Sequence, residues 1–404
     1  MHPSPPELDR FDLTSAAARA DVHAVYREMR RAGPIHRFTD PHSRRPSWLV
    51  LDHADVRAAL AGTDAFLRDE GRLRPRPAEL PRGLELILGD MLHKDPPEHT
   101  RLRYLVVKAL TPRRIDRLRA RARTLIADLL DPLDGAAGFD LIDAFARPLP
   151  ATLIVEVLGI PQSEGDRFRR WSVDAFSDDL ARALAAVNEF RDFIDPVIDE
   201  RERSDPGDDI LSGMVHARSD EGERLTRAEL QSMVLLLLLA GHDTTVNLLG
   251  NGVLALLQHP EQLARLRADP ALLTAAIEEM LRYDGPADLA SVRFAAADQE
   301  LCGQRIARGD PVFVSLLAAN RDPAVFPDPD RFLVDRRPTQ HIAFGAGIHT
   351  CVGAPLARME AAEALRALLA RHPRLELAVD PADLEWRPSR MLHGLTALPV
   401  RSPR

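Results

Sequence analysis

The chain has 404 residues, is 45% hydrophobic and only 5% aromatic, and carries a formal net charge of −8. Such a chain can bury a large core, and with no basic stripe it gives no support for nucleic-acid or anionic-membrane binding. Its two cysteines, Cys302 and Cys351, lie far apart, so no disulfide framework is implied and a reducing cytoplasm fits.

Residues 1–10 are proline-rich and polar, without the basic and apolar regions of a signal peptide. Residues 23–31 read as a helix. Residues 35–38 and 48–51 read as a small strand pair. Residues 67–92 have no clean period and many prolines, so a long loop is expected. At Asp95–Pro96–Pro97–Glu98, Asp95 is placed to N-cap a helix and Glu98 to close a capping box, with the helix running to about residue 110. Further helices are expected over 113–130, 148–158, 163–176 and 180–203. Thr226 and Glu229 form a second capping box. It opens a helix that runs to about residue 258, roughly 50 Å at 1.5 Å per residue. This helix is apolar all round from 233 to 239, so its middle should be buried. Its longest apolar run, 234–240, is well short of the ~20 residues of a membrane span. Strand-like pieces at 291–295 and 311–316 precede a last helix over 354–372, with Pro373 as its stop. There is no internal repeat and no linker, so a mainly α single domain over 1–404 with a minor β region is expected.

The most informative run is Phe344–Gly345–Ala346–Gly347–Ile348–His349–Thr350–Cys351–Val352–Gly353. It is a glycine-rich turn that delivers Cys351 to the start of a helix. There the unpaired N–H groups and the positive end of the macrodipole favour a thiolate. Gly345, Gly347 and Gly353 are expected to let backbone approach the sulfur, and Phe344 to cover it with apolar surface. A shielded, hydrogen-bonded thiolate is a good axial ligand for haem iron. Cys302, among Glu300, Leu301 and Gly303, reads instead as a small packed residue.

In the buried middle of the long helix sits Ala240–Gly241–His242–Asp243–Thr244–Thr245. Ala240 and Gly241 leave room beside the helix. A charge at Asp243 is costly in a core unless it is paired or used. Thr244 can bond back to the carbonyl of residue 240 and loosen the ladder, opening space for a diatomic ligand. His242 reads as a hydrogen-bonded residue facing a groove or solvent, not a metal ligand. Farther on, Glu279 and Arg282 share a helix face at i and i+3.

The cysteine run resembles the haem-binding signature of the cytochrome P450 family, Phe–Gly–x–Gly–x–(His/Arg)–x–Cys–x–Gly. Residues 240–245 resemble that family's oxygen-activation motif, and Glu279–x–x–Arg282 its helix ion pair. The resemblance spans nearly the whole chain and implies a single-domain fold with a long central helix over haem. It implies haem b held by Cys351 and enclosed by Phe344, Gly345, Gly353, Ala240 and Gly241. By it, Thr244 orders water and dioxygen and Asp243 relays protons. Glu279 and Arg282 would be closed into a buried network by Arg336, with Arg331 as the alternative. His99, Arg103, Arg293 and His349 match the propionate-binding positions.

The implied activity is that of a soluble bacterial-type monooxygenase. It would hydroxylate or epoxidise an apolar or amphipathic molecule: a terpenoid, steroid, fatty acid or polyketide of secondary metabolism. No flavin or nicotinamide site is visible, so electrons should come from a ferredoxin and its reductase, docking at arginines such as Arg113, Arg114 and Arg358. A cytoplasmic monomer without a membrane anchor is expected. Pocket walls are expected from 67–92, 176–187, 236–240, 287–292 and 391–395, with a lid at 177–184. Ala346, Thr350 and Lys94 depart from the commonest family residues, and the Thr350 hydroxyl is placed to bond near the sulfur. A peroxide-driven peroxygenase or dehydratase, whose members tend to lose the acid–alcohol pair retained here, is the second enzymatic reading. A haem sensor is the non-enzymatic one, and the chain leaves no residues for an output domain.

Overall fold

Trp48 and Val50 point to one side of a strand and Leu49 and Leu51 to the other, and both sides are apolar. A strand of that kind must be covered on both faces. In the computed structural model, which describes residues 11–40, 43–75, 80–175, 179–337 and 340–403, it is. The proline-rich start, residues 76–79 of the expected loop and residues 176–178 at the expected lid lie outside the described residues.

The chain forms two compact units. The first comprises Met1–Leu73, Ile126–Ala146 and Thr244–Arg404. Its main sheet runs in the order Ile35–Thr39, Pro46–Val50, Pro311–Val314, Arg293–Ala295, Phe66–Leu67. Ile35 pairs with Val50 and Trp48 with Val312, the first antiparallel and the second parallel. One core gathers Ile35, Trp48, Val50, Val56, Leu60 and Val312; another gathers Tyr26, Met29, Leu49, Leu51 and Leu317. A smaller sheet joins Gly138–Asp140, Pro399–Arg401 and Glu376–Leu377. The helices Leu273–Tyr283 and Ala354–Arg371 belong to this unit and pack on each other. Cys302 is a partly buried member of the first core; burial pushes its thiol up, as suits a packing residue.

The second unit comprises Arg74–Leu125 and Arg147–Asp243. It is helical, with Glu98–Ala109, Pro148–Val157, Gly165–Ala175, Leu180–Arg203, Ile210–His216 and Arg227–Gly241. The segment expected as a loop carries a short helix, Leu84–Leu88, and tight turns at Glu70–Arg72 and Met91–His93. The first capping box does not form. The helix begins at Glu98 with Pro97 at the cap position and no side-chain cap, and Asp95 offers its backbone carbonyl to the His99 N–H at 3.1 Å. The second box does form: Thr226 Oγ1 accepts the Glu229 N–H at 3.3 Å and Glu229 Oε2 accepts the Thr226 N–H at 2.8 Å.

The helical run that starts there is not continuous. It stops at Gly241, His242 leaves the helix, and it resumes as Asp243–Gln258. By length and composition Arg227–Gln258 could cross a membrane, but 67% of its apolar window is buried inside the protein, which marks a core helix.

Candidate active site

The cysteine loop is built by left-handed backbone. Gly345 and Gly347 have φ of +75° and +73°, which side chains with a Cβ rarely adopt. Gly347 also presses on the helix His53–Ala61: a Cβ there would lie 2.7 Å from Ala61 Cα and 2.8 Å from the Leu60 carbonyl. Gly353 differs from the sequence expectation, since a Cβ there would make an ordinary 3.8 Å contact with Cys351 Sγ. The loop closes when the Cys351 N–H donates to the Phe344 carbonyl at 2.9 Å. The Thr350 hydroxyl donates to the Gly347 carbonyl at 2.6 Å and so helps to close the turn. Cys351 itself is exposed, three residues before the helix Ala354–Arg371.

Arg358, in that helix, donates to Glu278 at 2.6 and 2.8 Å and lies over the Phe344 ring, 4.4 Å from its centroid. Bonding to Glu278 raises the Arg358 pKa first, and the nearby Cys351 adds to the rise. A fixed cation beside the sulfur favours the thiolate. Of Arg113, Arg114 and Arg358, expected from the sequence at a partner's dock, two also make contacts within the chain. Arg358 braces the loop. Arg114 donates to the carbonyls of Ala109, Gly207 and Asp208 and ties segments of the second unit together.

The structure brings Glu279, Arg282 and Arg336 together. Arg282 donates to both Glu279 oxygens, at 2.7 and 2.9 Å, with both side chains fully buried. Arg336 Nε lies 3.1 Å from each of the same oxygens. The Leu333 N–H adds a bond to Glu279 at 2.9 Å. Arg331, the alternative partner, contributes its carbonyl, which accepts from Arg282 at 3.2 Å and Arg336 at 2.8 Å. This satisfies a buried charge cluster that would otherwise be costly.

In the second unit, the helix Arg227–Gly241 ends in half-buried leucines and an exposed Ala240. Ile154 packs against Gly241, where a Cβ would meet it at 3.0 Å. His242 is buried, not solvent-facing, with Nδ1 3.6 Å from the buried Asp243. His99 is buried beside the half-buried Arg103, and burial first, then that cation, lowers its pKa. Thr244, half-buried, opens the first unit's share of the helix. Arg293 is buried in its strand, its Nη1 donating to the Ser291 carbonyl at 2.9 Å. His349 sits in the tight turn Gly347–His349.

The family model for Cytochrome P450 matches residues 154–383. The chain is 45% identical to cytochrome P450 monooxygenase PikC of Streptomyces venezuelae, over 98% of this chain and 95% of that one. The chain belongs to the cytochrome P450 family. It is a monooxygenase, as are its named relatives. It is also 40% identical to mycinamicin IV hydroxylase/epoxidase of Micromonospora griseorubida, over 96% of this chain and all of that one. The structure of the P450 PksS of the Bacillus subtilis 168 bacillaene polyketide synthase matches with a TM-score of 0.91 at 38% identity. That match covers 98% of this chain and 100% of that one.

A P450 carries haem iron, and the residues present fit it. An exposed cysteine three residues before a helix, in a loop braced by Arg358, is a donor that suits haem iron. Sequence reading missed the Glu278–Arg358 brace of this P450, because the two residues lie 80 positions apart and form no local pattern.

Proposed function

We propose that this P450 hydroxylates or epoxidises a polyketide, using haem b held by Cys351. The observation that carries the reading is the exposed Cys351 at the end of a loop braced through Arg358. Bound haem b would supply dioxygen activation and oxygen transfer; the rest falls to the chain. Cys351 would hold the haem iron through its thiolate, which the following helix and Arg358 favour. His99, Arg103, Arg293 and His349 bind the propionates. Leu236, Leu237 and Leu239 exclude water. The Thr244 hydroxyl would order a water in the site, and Asp243 would pass a proton to that water.

The relatives' names support the substrate class, since one names a polyketide synthase and another mycinamicin IV. Residues 1–404 act as one functional domain, a cytoplasmic monomer receiving electrons from a ferredoxin and its reductase.

The test has three readings. Purified protein reduced under carbon monoxide should show the thiolate-type Soret band, and Cys351→Ser should abolish it. Mycinamicin IV should shift the haem spin state more strongly than a saturated fatty acid; the reverse order would overturn the substrate class. With ferredoxin, reductase and dioxygen, Thr244→Ala should consume electrons with less product per electron, and an unchanged ratio would remove Thr244 from the relay.

A further inference from the structure

The turn at residues 391–394 is bound on every side. Its backbone exchanges bonds with the segment after the helix Leu273–Tyr283: the His393 N–H donates to Pro286 and the Asp288 N–H to Met391, each at 2.9 Å. Two asparagines of the helix Asp243–Gln258 meet it. Asn251 Nδ2 donates to the His393 carbonyl at 3.0 Å and to the Asp284 carbonyl at 3.1 Å. Asn247, one helical turn beyond Thr244, lies under Gly394 so closely that a Cβ there would sit 2.0 Å from its Oδ1. The turn is therefore seated beside the part of the helix where the reaction is placed, with Met391 exposed.

The His393 side chain locks this seat. It is buried and stacks on Trp386 with ring centroids 4.2 Å apart and planes at 10°. Its Nδ1 is 3.0 Å from Arg19 Nη2 and its Nε2 is 3.0 Å from Asp284 Oδ1. Arginine only donates, so Nδ1 accepts and Nε2–H donates to the carboxylate. Asp284 Oδ1 also lies 2.8 Å from His23 Nε2. Arg19 is held by Asp288 at 2.6 Å and donates to the Leu392 carbonyl at 3.2 Å; Tyr26 and Ser315 donate to the other Asp288 oxygen at 2.6 and 3.1 Å. His23, Asp284 and His393 bring potential metal ligands within 4.8 Å of one another. The tautomer of His393 puts a proton where a metal would bind, and Arg19 and Arg321 make the surroundings cationic. The cluster is an ionic brace.

We propose that His393 is a positioning residue: gripped between Arg19 and Asp284, it fixes the 391–394 turn against the helix beyond Thr244 and so shapes the wall that a bulky ligand meets. The proposal rests on the haem–thiolate reading above. It needs no contact between His393 and the ligand.

The test uses the haem-loaded protein and two iron-binding probes, imidazole and 4-phenylimidazole, followed by the Soret shift. Imidazole is the compact probe and 4-phenylimidazole the bulky one. His393→Phe keeps the ring against Trp386 and loses both polar contacts. It should weaken 4-phenylimidazole by about tenfold and leave imidazole within about twofold, the loss of one or two hydrogen bonds to charged partners. Amide hydrogen exchange at 391–394 should speed up. His393→Gln, which keeps a donor for Asp284, should recover most of the affinity. Equal weakening of both probes, or lost thermal stability with neither probe affected, would overturn the proposal. If H393F does not fold, R19K, which keeps a charge beside Asp288 but shortens the reach to His393, must show the same split, and equal probe affinities there overturn it too. A wild-type protein with no Soret response to imidazole would count against the haem–thiolate reading; slow exchange at 391–394 in H393F would count against the brace alone.

Discussion

Arg358 closes two hydrogen bonds on Glu278, at 2.6 and 2.8 Å, and covers the ring of Phe344 with the same guanidinium. His341 holds the Glu278 carboxylate from another side, at 3.0 Å. The neighbouring Glu279 faces Arg282 and Arg336. Two successive carboxylates on one helix thus anchor two different stretches of chain around the cysteine. Arg358→Leu should lower stability by about 1–2 kcal/mol, the value of charge-assisted bonds discounted for partial exposure. It should also make the thiolate harder to form. In haem-free protein, the pH at which iodoacetamide alkylates Cys351 at half its maximal rate should move upward, and an unmoved midpoint would refute the electrostatic role of Arg358.

Glu279→Gln leaves Arg282 and Arg336 buried around a neutral amide. Breaking such a cluster costs about 3–5 kcal/mol. The expected result is poor folded yield and little carbon monoxide band in what remains. A variant with wild-type thermal stability would show that the cluster is not needed for folding.

Two glycines of the cysteine loop separate strain from clash. Gly345→Ala meets only the left-handed backbone, since its new Cβ has nothing nearer than 4.0 Å, and should cost about 1–2 kcal/mol. Gly347→Ala adds a collision with the backbone of residues 60 and 61. It should be the worse of the two by at least a further 1 kcal/mol or so, as overpacking is. Urea unfolding of both variants checks the order.

Acid should unfold the protein in two stages. Burial, reinforced by Arg321, holds His23 at about 4 against an ordinary 6.5. Between those values the unfolded chain takes up a proton that the folded chain refuses, so stability falls as pH drops from 6.5 towards 4. Burial raises Glu278, but Arg358 and His341 outweigh it and hold the group at about 2 against 4.5. Its contribution is present above pH 4.5 and is lost towards 2. His23→Gln should flatten the upper stage, by up to about 1 kcal/mol per pH unit. Unfolding free energies measured from pH 7 to pH 4 would show an unchanged slope if the histidine does not titrate this way.

The parts of the site that were legible are those whose physics is local. An i,i+3 ion pair and the Thr226–Glu229 box each need only neighbouring residues, so their pattern is written in a few consecutive letters. Asp95 shows the limit even there: the same capping letters fail because Pro97 takes the cap position and the helix starts at Glu98. A loosened ladder near residue 240 was legible from Gly241 and Thr244, but the position of the break, at His242, was not.

From its letters alone the chain points to its family and to most of its helices, because the motifs and the helical patterning are written in neighbouring residues. Tertiary structure alone decides which charge meets which. It chooses the guanidinium of Arg336 over that of Arg331 for Glu279, pairs Arg358 with Glu278, and sets His393 between an arginine and a carboxylate from distant segments. A charged side chain reaches only a few ångströms, and which partner lies within that reach depends on how distant segments are brought together.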